Sequence, residues 1–70
     1  MTNSVYKIIE VVGTSDVSFG DAAKAAVETA AKSLTDLRVG AIKELDMKIE
    51  NGKVVAYRAK VNLSFKYDID

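Results

Sequence analysis

The sequence predicts a small α+β domain, ordered strand, helix, strand, strand, that associates with copies of itself. Three observations predict it. From Val54 to Tyr67, apolar Val55, Tyr57, Ala59, Val61, Leu63, Phe65 and Tyr67 alternate with Arg58, Lys60, Asn62, Ser64 and Lys66. A two-residue period held for about fourteen positions marks a half-buried antiparallel strand, and at roughly 3.3 Å per residue it reaches about 46 Å. A compact domain of this length has a radius of gyration of only about 11 Å. Such a strand must bend sharply or overrun its own monomer, and a second subunit then helps to cover it. Secondly, the one helical stretch presents a stripe made mostly of alanine, which buries little area per residue. Thirdly, 70 residues with no cysteine make a single domain, 1–70, near the lower limit for an independent core and without a disulfide or thiolate zinc site to supplement it. Association is the remaining route to stability.

Composition also excludes functions. The chain has no histidine, which removes the commonest metal ligand and every nucleophile–His mechanism. Ten basic and ten acidic residues cancel and are interspersed, so no basic surplus offers itself to nucleic acid. No apolar run approaches the 18 or so residues of a membrane span. Met1-Thr2-Asn3-Ser4 lacks the basic and apolar regions of a signal peptide, and a cytoplasmic location is the expectation.

The first strand is predicted over Val5 to Val12, where Val5, Ile8, Ile9, Val11 and Val12 favour a pleated surface. Its apolar residues lie on both faces, so both are expected to be partly covered, one of them by the helix. Gly13-Thr14-Ser15-Asp16 reads as the turn that ends it. Ser18 with Asp21 three positions on fits a capping box. Phe19, Ala22, Ala23, Ala26, Val27, Ala30 and Leu34 then recur at helical spacing, while Lys24, Glu28 and Lys32 alternate in sign along the outer side. The helix is expected to run to about Thr35.

Asp36-Leu37-Arg38 leads to a second strand, Ala41 to Ile49, with Leu45, Met47 and Ile49 on one face and Glu44, Asp46 and Lys48 on the other. The hairpin lies at Glu50-Asn51-Gly52-Lys53. A two-residue Asn-Gly loop would pair Lys48 with Val55 and put charges on the apolar face. A three-residue loop, Glu50 to Gly52, instead pairs Met47 with Val55 and Leu45 with Tyr57, and sets Glu44 opposite Arg58 with Asp46 diagonal to it. The three-residue loop is therefore expected. Asp68-Ile69-Asp70 forms a tail, and there is no internal repeat, linker or low-complexity segment.

Two stretches carry possible chemistry. Gly13-Thr14-Ser15 before a helix offers backbone N–H groups to a phosphate, yet lacks both the Gly-x-Gly-x-x-Gly pattern and the P-loop lysine, so a plain turn is the better reading. Glu44, Asp46 and Glu50 on one strand face suit a hard cation such as Ca²⁺. Residues i and i+2 on a strand lie roughly 7 Å apart, so one chain chelates poorly and a symmetry mate is needed; with Arg58 opposite, ordinary cross-strand ion pairs are the better reading of the same carboxylates. Tyr57, Phe65 and Tyr67 share the apolar face and read as core or interface.

Val11-Val12-Gly13-Thr14-Ser15, the alanine-rich helix, the Glu50-Asn51-Gly52-Lys53 hairpin and the closing Val61-Asn62-Leu63-Ser64-Phe65-Lys66 together resemble the dodecin family over nearly the whole chain. The resemblance implies a three-stranded antiparallel sheet wrapped around one helix and a hollow homododecamer, without enzymatic turnover. It also implies binding of a flavin (riboflavin, FMN or FAD) at a subunit interface, for storage and quenching of its photochemistry. The family's flavin-stacking tryptophan falls at Val39 and its ring-binding glutamine at Arg58, so this chain departs from the pattern at both cofactor-binding positions. Members that resemble it in lacking the tryptophan have been given a calcium-binding role. The leading reading is a non-enzymatic shell that binds or sequesters a small ligand, flavin being the class the resemblance implies. The alternative is an ion-binding or purely structural shell using Glu44, Asp46 and Glu50. An enzyme ranks third, because nothing in the sequence shows how a Lys or Tyr would have its pKa shifted.

Overall fold

The computed structural model describes residues 3–67, so the expected tail at Asp68-Ile69-Asp70 lies outside the described residues. The element order is β1 (Tyr6–Ser15), α1 (Phe19–Ala30), β2 (Leu37–Glu50) and β3 (Lys53–Lys66). All pairing is antiparallel, and β3 lies between β1 and β2. The strand with the longest two-residue period thus forms the centre of the sheet. Its alternation is realised in burial: Ala59, Val61 and Leu63 are enclosed under the helix while Arg58 and Lys66 are exposed.

Ser18 caps α1 as the capping pattern requires, its Oγ accepting from the backbone N–H of Asp21 at 3.0 Å. Ala22 and Ala26 are buried, and Ala23, Val27 and Ala30 pack around them, so the predicted stripe is the face that meets the sheet. The helix ends at Ala30, short of the expected Thr35. The turns that follow tighten, with the N–H groups of Lys32 and Ser33 donating three residues back at 3.2 and 3.1 Å, a common way for a helix end to satisfy its last carbonyls.

Strand β1 continues to Ser15, past the turn expected at Gly13. Gly13 is buried opposite Ala59, and a Cβ built on it would lie 2.0 Å from the carbonyl oxygen of Ala22. The glycine therefore serves close approach of the helix backbone to the sheet. Only one face of β1 is covered within the chain: Ile9 and Val11 are half-buried toward α1, whereas Ile8 and Val12 on the other face are exposed.

The hairpin corrects the expected register. Glu50 pairs with Lys53 around a two-residue Asn51-Gly52 turn, with φ of 52° and 76°. Positive φ at both central positions matches the twist of the strands it joins. The charges stay off the apolar face because the pairing jumps from Ile49–Val54 to Lys48–Ala56, leaving Val55 as an extra residue. A β-bulge thus achieves what a longer loop was expected to achieve. Met47 consequently faces Tyr57, Leu45 faces Ala59, and Arg58 faces Asp46 rather than Glu44. Two further register shifts in β2, between Leu37 and Val39 and between Ile42 and Glu44, bend the strand; bulges increase local twist, and the sheet wraps the helix.

The wrapping is incomplete. The radius of gyration is 14.6 Å and the chain is 54 Å along its longest axis, well beyond the roughly 11 Å radius of a compact chain of this length. A 12-residue helix is only about 18 Å long at 1.5 Å per residue, less than half the span of the 14-residue strands β2 and β3. α1 lies over β1 and β3 and barely touches β2.

Candidate functional site

Away from the helix, the sheet carries a row of charges across all three strands. Glu10 on β1 lies opposite Asn62, Lys60 on β3 opposite Glu44, and Arg58 on β3 opposite Asp46. The guanidinium of Arg58 donates through Nε to Asp46 Oδ1 at 2.7 Å and through a terminal nitrogen to Asp46 Oδ2 at 2.9 Å. This two-pronged geometry is the strong form of the Arg–carboxylate pair. Lys60 Nζ lies 3.2 Å from Glu44 Oε1, and Lys48 Nζ lies 3.6 Å from Glu50 Oε2 at the hairpin end. The hydrogen bonds from Arg58 hold the Asp46 carboxyl below the usual carboxylate range, and the same bonds raise Arg58 further. Lys60 is raised, chiefly by its hydrogen bond to Glu44, with Glu10 and Asp46 adding to it.

The candidate residues are therefore only partly brought together. Glu44, Asp46 and Glu50 follow one another along one face of β2, an edge strand, but each is engaged by a basic side chain of its own chain. Among the described residues, no group of three acidic side chains converges closely enough to hold a metal ion. Val39 is exposed on β2 opposite Ser64, six residues along β3 from Arg58. At about 3.3 Å per residue that is roughly 20 Å, so one chain does not bring Val39 and Arg58 to one ligand. The hollow beside Val39, lined by Val27, Leu37 and Gly40 among others, is only about 110 Å³; sites for drug-sized ligands start near 300 Å³. The Gly13-Thr14-Ser15 backbone is spent in the sheet ladder, against Ala59, Arg58 and Tyr57.

A family model for dodecin matches residues 5–68. The chain belongs to the dodecin family. Its fold superposes on the dodecin of Streptomyces coelicolor with a TM-score of 0.90 at 30% identity, covering 100% of both chains. The calcium dodecin of Mycobacterium tuberculosis is 43% identical over 63 residues, 90% of this chain and 89% of that protein. A crystal structure of that calcium-chelating protein, with its calcium-binding site, covers 93% of each chain at 44% identity and a TM-score of 0.81. The β-α-β-β order and the sheet wrapped around one helix are thus those the resemblance implies. Among the described residues, no helix is long and apolar enough to cross a membrane.

In this dodecin, the sequence singles out the acidic residues of β2 and Arg58 across the strand pair, but Arg58 meets Asp46 where Glu44 was expected, and Lys60 is the partner of Glu44. The roles of Lys60 and Glu10 depend on register, and a β-bulge moves register without a strong sequence signal.

The Asp46–Arg58 pair makes a pH prediction. A carboxyl whose folded pKa is depressed contributes stability that is fully present above its unfolded value and is lost as pH falls through the folded one. The stability difference between wild type and Asp46→Asn should be constant near neutrality and shrink below about pH 4, the ordinary Asp value. Urea denaturation across that range checks this. The difference should also fall as salt rises, because the pair is exposed and screened. A difference independent of both pH and salt would mean that the pair contributes nothing to stability.

Proposed function

We propose that this dodecin assembles into a closed, non-enzymatic shell of twelve copies that binds a small ligand where copies meet, and that the ligand is a divalent cation, Ca²⁺ for preference, rather than a flavin. The observation that carries the reading is the placement of Glu44, Asp46 and Glu50 along one face of an exposed edge strand. A neighbouring copy brought against that strand adds oxygen ligands to a row that one chain spaces too widely to chelate. Ca²⁺ takes six to eight oxygens, often carboxylate, in flexible geometry. Glu44 and Glu50 are the more available members, each held by a single lysine, while Asp46 is held by both prongs of Arg58. The calcium-chelating relative at 44% identity supports the same choice.

Flavin is disfavoured by two side chains. Val39 offers no ring to stack on, and the Arg58 guanidinium already donates to Asp46 through two nitrogens. The test is a thermal melt of the wild-type assembly with Ca²⁺, with a chelator, and with FMN. A ligand that binds only the native form at a hundredfold excess over its Kd stabilises by about 2.7 kcal/mol. A midpoint that rises with Ca²⁺, reverses with chelator and ignores FMN is expected. Quenching of added riboflavin without any Ca²⁺ response would restore the flavin reading, and no response to either would leave a purely structural shell.

A further inference from the structure

Lys60 stands between two carboxylates and engages only one of them. It lies on the central strand β3 directly opposite Glu44 of β2, with its Nζ 3.2 Å from Glu44 Oε1. On the other side it faces Val12 of β1, and Glu10, which pairs with Asn62, is its diagonal neighbour. Diagonal neighbours across antiparallel strands lie about 7–8 Å apart, within reach of a long side chain. Among the described residues, Glu10 makes no ion pair. The Asn62 Oδ1 beside it is enclosed and accepts no hydrogen bond, and a buried acceptor left without a donor is destabilising. The β1 side of Lys60 therefore holds two acceptors that lack a donor, while an ammonium carries three N–H groups.

We propose that Lys60 is a tethered cation that occupies Glu44 and steps across to Glu10 and Asn62 when a divalent cation takes its place. The inference rests on the cation reading above and adds how that site is controlled. Lysine suits the task, being a compact charge on a flexible four-carbon stem. Glu44 is the nearer seat, directly opposite, and Asp46 on the same strand adds to its pull on Lys60. Glu10 attracts the ammonium from the other side. The Lys60–Glu44 pair is exposed enough to be weak, so a doubly charged ion that also draws oxygens from a neighbouring copy displaces it. The displaced ammonium is then neutralised again by Glu10 and supplies the donor that Asn62 lacks. Arg58 has no such second seat. Its partner on β1 is the uncharged Thr14, and both prongs of its guanidinium hold Asp46. The exchange therefore frees Glu44 and leaves Asp46 in place.

The test is calorimetric titration of the assembled protein with Ca²⁺, in wild type, Lys60→Gln, Glu10→Gln and the double variant. Lys60→Gln should bind about threefold more tightly, the middle of the range that an exposed ion pair spans. Glu10→Gln should bind more weakly by a similar factor, because the displaced lysine loses its second seat. In the Lys60→Gln background, Glu10→Gln should change nothing, since Glu10 acts only through the lysine. A Glu10 effect of equal size in both backgrounds overturns the exchange, because simple attraction between Glu10 and the ion then accounts for it. A Lys60→Gln affinity equal to that of wild type overturns it as well. Lys60→Met, which keeps an apolar stem and removes the charge, should reproduce Lys60→Gln, and light scattering should find every variant at the wild-type mass. Wild-type protein that gives no heat with Ca²⁺ would overturn the cation site itself, which keeps the two failures apart.

Discussion

Gly13→Ala is expected to cost about 3 kcal/mol, the upper end of the usual overpacking range, and to leave much of the chain unfolded. The added methyl would lie 2.0 Å from the Ala22 carbonyl oxygen and 2.9 Å from the Ala26 Cβ. The first neighbour is backbone, so no rotamer change relieves it; α1 must move away from β1. That movement opens the core, because Ala22 and Ala26 are the helix's buried contribution to it, with Ala59, Val61 and Leu63 beneath. Small domains hold only about 0.05–0.15 kcal/mol per residue, so for 70 residues this penalty is a large fraction of the total. Chemical denaturation followed by circular dichroism measures it. Gly20→Ala is the matched control: the nearest atom to a methyl added there is the flexible Ser18 hydroxyl at 3.8 Å, and alanine is the better helix former. A Gly13→Ala variant as stable as wild type would mean that the helix does not rest on the β1 backbone.

That close contact shows where sequence reading reached its limit. Three of the elements were legible from a period, two for Ala41 to Ile49 and Val54 to Tyr67 and 3.6 for Phe19 to Leu34, and the first strand from the β-branched run of Val5 to Val12. The N-terminus of the helix was legible from Ser18 and Asp21, because capping is a local interaction. Gly13 was not. In a string of residues it looks like a turn, and only the approach of Ala22 from another element explains it. The hairpin failed for a related reason. Charges do have to stay off the apolar face, but both a longer loop and a bulge satisfy that condition, and Val55 carries no local mark of being the extra residue. The carboxylates Glu44, Asp46 and Glu50 were found by their alternation, whereas Arg58–Asp46 and Lys60–Glu44 followed only once the bulge had set which residues face each other. Pairings between strands are non-local, and one displaced residue reassigns all those beyond it.

The double variant Val39→Trp, Arg58→Gln is expected to bind riboflavin or FMN about 5- to 150-fold more tightly than wild type. Stacking of an aromatic side chain on a planar base contributes about 1–3 kcal/mol, which converts to that range. Val39 is exposed on a strand, where tryptophan is well accommodated, so the substitution adds a ring without displacing core. Arg58→Gln removes the two guanidinium donors from Asp46 and supplies an amide that both donates and accepts, where arginine only donates. Asp46 is half exposed and returns to water, so the change should not unfold the protein. Because Val39 and Arg58 stand roughly 20 Å apart in one chain, a ligand touching both must draw them from different copies, and the gain should disappear when the assembly is dissociated. Riboflavin fluorescence quenching on titration measures the affinity, and a Ca²⁺ melt on the same variant tests whether Glu44 and Glu50 still act. Quenching no stronger than wild type would remove residue 39 from any stacking role. Tighter flavin binding that persists in dissociated chains would place the site within one copy, against the proposal that ligands bind only where copies meet.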